Sequence, residues 1–157
     1  MPWRKTHDPY KILVSEIMLQ QTQVGRVVPF YTKFVKKFPT AKALAKAKLR
    51  DVLKEWQGLG YNRRGRYLHE AAKIIVSEGF GGRLPGVGPY TAAAVEAFAH
   101  NKPTVFIETN IRSVFIYFFF RNQASVHDND IEPLVAKALD QNNPREWYYA
   151  LMDYGVM

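Results

Sequence analysis

Two glutamates are of a type and in a setting that could carry acid–base chemistry, and Glu16 is the clearer of them. Ile12 and Leu13 precede it by about one helical turn and Leu19 follows it by one turn, so apolar side chains lie beside it on the same side of a helix. An apolar setting disfavours the charged form of a carboxylate, so we expect the pKa of Glu16 to be raised. Such a group can act as a general acid near neutral pH. The alternative is an exposed glutamate on a solvated helix face.

Glu108 is the second candidate, and it stands where Glu108-Thr109-Asn110 opens a long apolar helix. A carboxylate in the first turn of a helix is stabilised by the positive end of the helix dipole. Taken alone, this favours a helix-capping role for Glu108. The residues around it do not by themselves indicate a catalytic one.

A glycine turn, LPGVGPYT at residues 84–91, leads into a helix. Gly86 and Gly88 allow positive φ and let another backbone come close, and Pro89 suits the first position of a helix. The turn therefore presents free backbone N–H groups at the positive end of a helix dipole. This arrangement binds a phosphate without any charged side chain. The alternative is a tight turn between two helices with no ligand.

Two further segments carry groups that suit nucleic acid. Gln20, Gln21 and Thr22 form a polar run at the end of a helix, which is either a surface turn or a set of side chains for a DNA groove. Arg63 and Arg64 follow a second glycine turn at residues 58–61, and they could contact a DNA backbone. The alternative for the arginines is the solvated start of a helix.

The elements that position these residues are predicted to be helices throughout, because helical periods dominate and no strand pairs or repeats occur. The sequence therefore predicts an all-α fold, with one extended piece at residues 104–107. The expected helices cover residues 10–21, 24–37, 41–47, 49–57, 63–78, 90–99, 111–120, 131–140 and 144–154.

The composition favours an anionic partner and excludes several kinds of site. The 157 residues carry a net charge of +8 and are 14% aromatic, which suits binding to nucleic acid. There is no cysteine, so disulfides, thiolate metal sites and cysteine nucleophiles are excluded. The four histidines stand too far apart to suggest a local pair of metal ligands. No apolar run approaches the ~18 residues of a membrane span and no signal peptide opens the chain, so we expect an intracellular protein of the cytoplasm or nucleoid, without a membrane partner.

Three segments together resemble a known family. They are SEIMLQQT at residues 15–22, LPGVGPYTA at residues 84–92 and ETNIRSV at residues 108–114. In order and content they are similar to the helix-hairpin-helix (HhH-GPD) DNA glycosylase superfamily, and the SEIMLQQT segment is most similar to the MutY-type adenine DNA glycosylases. The resemblance extends over nearly the whole chain. It implies one glycosylase core at residues 1–157, with a six-helix barrel module at about 9–107 and the helices of a second lobe at about 108–157.

The resemblance implies base excision: the enzyme flips a nucleotide out of double-stranded DNA that carries a mismatch or damaged base, and cleaves its glycosidic bond. Glu16 stands where the family has the acid that protonates the leaving adenine. Glu108 stands where it has an aspartate that stabilises, or adds to, the sugar cation, and Asn110 belongs to the same catalytic set. Tyr90 stands where the bifunctional relatives have a lysine that forms a Schiff base, so hydrolysis without strand cleavage is implied. The general chemistry resembles hydrolysis of glycosides by two carboxyl groups.

The binding residues follow from the same resemblance. Gln21 and Tyr61 match positions that wedge into the DNA stack near the mismatch, and Gln20, Thr22, Arg63 and Arg64 lie beside them. The hairpin residues Gly86, Val87, Gly88 and Thr91 match the site that holds a phosphate. Backbone carbonyls of residues 84–88 are expected to hold Na⁺ or K⁺ in that family. The chain is expected to act as a monomer.

The sequence departs from the family pattern at three places, and three functions stay open. Glu108 replaces the usual aspartate, the helix that normally precedes the hairpin is missing after Arg83, and the chain reaches Met157 about where the cysteines of an iron–sulfur segment would follow. The favoured function is removal of adenine paired with guanine or 8-oxoguanine. The alternatives are a thymine glycosylase acting on T·G pairs and a DNA-binding module without activity.

Overall fold

The structure, a computed structural model, describes the whole chain from Met1 to Met157. It confirms the all-α prediction, since it contains one short 3₁₀ helix and nine α-helices and no β-strand. The 3₁₀ helix is Pro2–Lys5, and the α-helices are α1 Pro9–Leu19, α2 Val24–Lys37, α3 Ala41–Lys46, α4 Leu49–Trp56, α5 Arg63–Glu78, α6 Pro89–His100, α7 Thr109–Phe119, α8 Asp128–Ala138 and α9 Pro144–Tyr154. None of these helices is both long and apolar enough to span a membrane.

Side-chain caps and prolines fix where several helices begin. The Asp8 carboxylate accepts hydrogen bonds from the backbone N–H groups of Tyr10 and Lys11 at the start of α1. Thr40 accepts from the N–H of Ala43 at the start of α3. Such caps satisfy backbone donors that have no partner within the helix, and each is worth about 1 kcal/mol.

The chain divides into two compact units, Met1–Thr91 and Ala92–Met157, and the division lies inside α6. In the first unit α1 is the central helix, because eight of its eleven residues are buried and it packs against both α2 and α5. Trp56 at the end of α4 is fully buried, as the sequence predicts. Gly65 in α5 makes this packing possible, since a Cβ there would lie 2.9 Å from the Trp56 indole.

The second unit is built from α7, which packs against α8 and α9, and from stacked aromatic rings. Phe106 stacks on Tyr148 with 3.9 Å between the ring centroids, and Phe98 stacks on Tyr149 at 4.6 Å. The Tyr148 hydroxyl donates to the carbonyl of Thr104 at 2.8 Å and accepts from the N–H of Phe106 at 3.2 Å. Burial raises the pKa of Tyr148 to about 12, so its hydroxyl keeps its proton at neutral pH.

The structure corrects two predicted helix boundaries that matter for the site. The first helix ends at Leu19 and not at residue 21, because Gln20 leaves the helical conformation and Gln21 has a φ of 55°. The helix predicted from residue 131 begins at Asp128. His127 is its N-cap, and the Asp130 carboxylate accepts from the backbone N–H of His127 at 2.9 Å. The acidic residues that were expected to precede α8 thus form its first turn, where the helix dipole stabilises them.

Candidate active site

Glu16 lies on the buried central helix α1, and only 7% of it is exposed. Ile12 and Leu13, the apolar neighbours expected from the sequence, are also buried. The prediction of an apolar setting is therefore confirmed, and the alternative of an exposed glutamate is wrong. The hydroxyl of Tyr90 donates a hydrogen bond to Glu16 Oε2 at 3.4 Å. A carboxyl group that is buried and contacts a hydroxyl group is placed to exchange a proton with a bound molecule.

Gln20 connects the end of α1 to the glycine hairpin at residues 84–88. Its side-chain amide donates to the carbonyl of Gly86 at 3.2 Å and to Thr91 Oγ1 at 3.5 Å. Because Gln20 follows Glu16 by one helical turn, these bonds bring the hairpin close to the candidate acid. Thr91 itself is buried. Glu16, Gln20, Gly86, Tyr90 and Thr91, which are far apart in the sequence, thus form one cluster in the first unit.

The hairpin is supported although no helix precedes it. The chain leaves α5 at Glu78 and reaches the hairpin without another helix. The side chain of Leu84 is buried, and the N–H of Val87 donates to the carbonyl of Leu84 at 3.2 Å. A Cβ on Gly86 would lie 3.0 Å from Cβ of Tyr67, so α5 packs directly against the turn. Tyr67 and Gln20 therefore support the hairpin.

The two hairpin glycines have different roles. Gly86 has a φ of 74°, in the left-handed region that favours glycine. Gly88 does not have a positive φ, so this part of the sequence prediction is wrong for Gly88. A Cβ on Gly88 would meet no atom within 4 Å, so that its surroundings are open. Strain explains a glycine at residue 86, whereas residue 88 is open to a molecule approaching from outside.

Six of the predicted DNA-binding residues, namely Gln20, Gln21, Tyr61, Arg63, Arg64 and Gly86, line one groove of about 670 Å³. Tyr67 and Gly86 also line a neighbouring hollow of about 490 Å³, together with Arg83 and the rest of the hairpin. The groove is lined by Gln20, Gln21, Tyr61, Asn62, Arg63, Arg64, Tyr67 and Gly86.

Gln21 and Tyr61, which the resemblance predicts to wedge into the DNA stack and which are hereafter called the wedge residues, both line this groove. Gln21 is exposed, and 62% of Tyr61 is exposed. Both have a positive φ, 55° for Gln21 and 49° for Tyr61. Positive φ in residues other than glycine is uncommon and concentrates at functional sites.

Arg64 needs a correction, since it does not present a free positive charge to a DNA backbone. Only 8% of the residue is exposed. Its guanidinium donates to the backbone carbonyls of Met18 and Gly60, at 2.9 Å and 3.1 Å. Burial lowers the pKa of Arg64, and these acceptors compensate for its lost hydration. The neighbouring Arg63 is exposed, so a contact between Arg63 and a DNA backbone stays a prediction.

Glu108 and Asn110 lie together in the second unit at the start of α7. Glu108 is the N-cap of this helix, and its Oε2 accepts from the backbone N–H of Asn110 at 2.8 Å. Its Oε1 accepts from the side-chain amide of Asn110 at 3.2 Å. A Cβ on Gly155 would lie 2.5 Å from the backbone oxygen of Asn110, so the end of α9 packs closely on this pair. The capping role is thus present, and it holds the carboxylate in one orientation.

Arg112 is the nearest cation to Glu108 along α7, and it is engaged by another residue. Its guanidinium forms two hydrogen bonds of 2.7 Å with the carboxylate of Asp128. This contact holds the pKa of Asp128 below its usual value and raises that of Arg112. The charge of Arg112 is therefore directed mainly at Asp128.

Comparison with known proteins identifies the family to which this chain belongs. The family model described as "HhH-GPD superfamily base excision DNA repair protein" matches residues 14–137. The chain belongs to the HhH-GPD superfamily.

Proteins named adenine DNA glycosylase are among its relatives. The one from Buchnera aphidicola (subspecies Baizongia pistaciae) is 36% identical over 171 residues, covering 100% of this chain and 48% of the relative. The one from Homo sapiens is 40% identical over 133 residues, covering 73% of this chain and 24% of the relative. The chain therefore spans about half the length of the first of these relatives and less of the second.

A solved structure described as that of a thermostable thymine-DNA glycosylase also has this fold. It superposes with a TM-score of 0.84 at 30% sequence identity, covering 100% of this chain and 78% of that one. The HhH-GPD fold thus extends over all of the residues described above.

Tyr67 and Arg83 were not predicted to be site residues of this HhH-GPD chain, although both line its surface hollows. A signal for Tyr67 was present, because it follows Arg63 by four residues on α5 and therefore lies on the same helix face. Arg83 carried no such signal, since its position depends on how the chain runs from α5 to the hairpin.

The residues present fit some of the family's bound groups and not others. No thiolate is available for an iron–sulfur cluster, because the sequence contains no cysteine. No group of three or more His, Asp or Glu side chains is placed to bind a metal ion. In the hairpin, the carbonyls of Leu84 and Gly86 each accept one hydrogen bond. A carbonyl oxygen has two lone pairs, so both retain capacity for a monovalent cation.

Proposed function

We propose that this chain is the core of a monofunctional DNA glycosylase, which hydrolyses the N-glycosidic bond of an adenine paired with guanine or 8-oxoguanine. The observation that carries the proposal is the buried Glu16 carboxyl group with the Tyr90 hydroxyl hydrogen-bonded to it. The adenine DNA glycosylases among the relatives support adenine as the substrate base. A protein with this function acts inside the cell, where the DNA is.

Glu16 acts as the general acid in the proposed reaction. It transfers its proton to a nitrogen of the flipped adenine while the bond between that base and C1′ of the sugar breaks. The bonding electrons leave with the base, which departs neutral, and positive charge develops on the sugar. Water then adds to C1′ and gives up one proton to a carboxylate. General acid catalysis of this kind contributes about 10²–10⁴ in rate.

Glu108 stabilises the positive charge on the sugar in this proposal. Asn110 fixes its carboxylate through two hydrogen bonds, so the negative charge is oriented before the substrate binds. A preorganised charge beside a developing ion is among the largest contributions to catalysis in a dry site. Capping α7 and stabilising the cation are compatible, because both require the ionised carboxylate in a fixed position.

Tyr90 limits the reaction to hydrolysis. A phenol cannot form the Schiff base that an amine forms with the sugar, so the enzyme leaves an abasic site in an intact strand. Its hydroxyl instead remains available to orient Glu16. The lysine side chains of the chain are not needed for this chemistry.

Duplex DNA binds along the groove and the hairpin in this proposal. Backbone N–H groups of the hairpin hold a phosphate at the start of α6, while the exposed Arg63 contacts the DNA backbone. The wedge residues enter the base stack and help the target nucleotide to leave it. A Na⁺ or K⁺ ion on the hairpin carbonyls would add positive charge next to that phosphate. The protein acts as a monomer.

A thymine glycosylase acting on T·G pairs is the second candidate function. The similarity to a thymine-DNA glycosylase over 100% of this chain favours it. The local chemistry is shared, since both reactions break the same kind of bond. The pocket that receives the base determines whether adenine or thymine is removed, so the rates on the two substrates have to be compared directly.

Single-turnover reactions on labelled duplexes test the proposal. The duplexes contain A opposite 8-oxoguanine, A opposite guanine or T opposite guanine, and undamaged duplex is the control. We expect abasic sites in the adenine strands only, detected as strand breaks after hot alkali and absent before it. Breaks in the T·G duplex alone would establish the second candidate. No abasic sites in any duplex, despite DNA binding, would leave a DNA-binding module.

A further inference from the structure

The two wedge residues share a backbone feature that is rare in the rest of the chain. Only three residues other than glycine have a positive φ, namely Gln21, Tyr61 and Asn101. The left-handed conformation is unfavourable for such residues, so surrounding contacts have to maintain it. Two of the three stand at the groove and are exposed, which means that their own side chains supply little of this support.

Arg64 contacts the chain on both sides of Gln21. Its Nη1 donates to the carbonyl of Gln20, which precedes Gln21. Its Nη2 donates to Oγ1 of Thr22, which follows Gln21, at 3.0 Å. The same Nη1 group donates to the carbonyls of Ile17 and Met18 in the last turn of α1.

Arg64 also holds the turn that carries the other wedge residue. Its Nη2 donates to the carbonyl of Gly60, directly before Tyr61, at 3.1 Å. The guanidinium lies 5.2 Å from the centre of the Tyr61 ring and 5.8 Å from that of Trp56. One side chain therefore connects α1, both turns and the α4 indole. The planar guanidinium, with five N–H donors, can reach all these acceptors, whereas an ammonium group cannot.

We infer that Arg64 is a positioning residue, which holds Gln21 and Tyr61 in their left-handed conformations before DNA binds so that both can enter the base stack together. The inference rests on the proposed function. Direct contact between Arg64 and a phosphate is a poor alternative, because the residue is buried and both of its Nη groups donate to oxygens of the protein. A purely structural role is the other alternative, and it makes different predictions for base unstacking and base release.

Arg64→Met and Arg64→Lys are the test variants, and Arg66→Met is the matched control. Met keeps an apolar stem beside Trp56 but removes the donors, while Lys keeps the charge. Arg66 stands on the same helix, is exposed and pairs with Glu70, so its loss removes one charge without touching either turn. All proteins comprise residues 1–157 and are first compared by thermal unfolding.

The first measurement is base unstacking, which needs no bond cleavage. The probe is a duplex with 2-aminopurine beside the mismatch and a 2′-fluoro sugar at the target nucleotide to prevent cleavage. We expect a fluorescence rise on binding of the wild type and of Arg66→Met, and loss of most of this rise in both Arg64 variants at saturating protein. A rise equal to that of the wild type in Arg64→Met would overturn the inference. No rise with the wild type would overturn it together with the wedge role.

The second measurement distinguishes a positioning role of Arg64 from a general loss of structure in the Arg64 variants. On an ordinary mismatch the Arg64 variants should lose on the order of 10²-fold in single-turnover rate, the loss that a displacement of about 1 Å can cause. On a target base in a single-nucleotide bulge, which is already unstacked, most of this deficit should disappear. An equal deficit on both substrates would establish a purely structural role. If base release fails in the wild type while unstacking depends on Arg64, the proposed chemistry is wrong and the positioning role stands.

A third variant keeps the test decisive if neither Arg64 variant folds. Thr22→Val deletes one acceptor of the guanidinium and leaves α1 and the buried charge intact. It should reduce the fluorescence rise in the same direction, and the bulged substrate should again restore the rate. An unchanged fluorescence rise in Thr22→Val would count against Arg64 as the residue that positions Gln21.

Discussion

The hydroxyl of Tyr90 donates a hydrogen bond to Glu16 Oε2 at 3.4 Å, and this bond joins two residues that are far apart in the sequence. Glu16 is on the central helix of the first unit and Tyr90 is in the first turn of α6. In the proposed mechanism this contact gives Tyr90 a positioning role. It orients the carboxyl group that we propose as the acid.

Tyr90→Phe tests this contact. The substitution removes one hydrogen bond and keeps the ring, so the single-turnover rate should fall by about tenfold or less, as expected for ~1 kcal/mol. The matched control is Tyr10→Phe, which removes a buried hydroxyl that donates to the carbonyl of Phe38 at 2.8 Å. The control should lower the unfolding temperature and leave the rate unchanged. An unchanged rate in Tyr90→Phe would mean that the contact does not orient Glu16.

Glu108 allows a second prediction, because capping and catalysis respond differently to substitution. Glu108→Gln should abolish base release while DNA binding survives, since the charge is lost. Glu108→Asp should keep activity or raise it, because it keeps the charge and the resemblance to the superfamily implies an aspartate at this position. Both variants should change the free energy of unfolding by roughly 1 kcal/mol or less. Equal single-turnover rates for the two variants would leave Glu108 with a capping role only.

The hairpin glycines provide a matched pair. Gly86→Ala should destabilise the fold by roughly 1–2 kcal/mol, since its φ is 74° and a Cβ would press on Tyr67. Gly88→Ala should change stability by about 0.5 kcal/mol or less, because no atom lies within 4 Å of the new Cβ. It should nevertheless weaken DNA binding by about tenfold, as for the loss of one hydrogen bond to a charged group. Denaturant unfolding and duplex titration measure the two effects, and normal DNA binding by Gly88→Ala would remove the phosphate from the hairpin.

The net charge of +8 leads to a prediction about salt. The logarithm of the binding constant should fall linearly with the logarithm of salt concentration, with a slope of about −0.9 per phosphate neutralised. Arg63→Met should make this slope shallower by about one phosphate. Duplex titrations between low and physiological salt measure it. A slope near zero for the wild type would exclude the DNA backbone as a partner.

Local signals in the sequence were enough to predict the helices and the burial of Glu16. Asp8, Pro9 and the apolar stripe of α1 specify a buried helix, and the apolar neighbours of Glu16 predict its burial. The resemblance to the superfamily implies that Gln21 and Tyr61 enter the DNA stack, and this stays a prediction. The structure places Gln20, Gln21 and Tyr61 along one groove.

Contacts between residues that are far apart in the sequence could not be predicted from the sequence alone. The sequence does not indicate that Arg64 is buried and Arg63 is exposed. The burial of Arg64 depends on backbone carbonyls of α1, which precede Arg64 by more than 40 residues. The positive φ of Gln21 has the same origin. The support of the hairpin by Tyr67 and Gln20 also requires the fold, since it joins residues that are far apart in the sequence.

The most direct test of the account is the effect of Glu16→Gln on base release from a duplex with A opposite 8-oxoguanine. Glu55→Gln is the matched control, since Glu55 has the same exposure of 7% but is paired with Lys33 and Lys37. At saturating protein, the wild type and Glu55→Gln should release adenine at similar single-turnover rates. Glu16→Gln should bind the duplex equally well and be slower by roughly 10²–10⁴-fold, because the proton donor is gone. A Glu16→Gln protein that releases adenine as fast as the wild type would contradict the central claim.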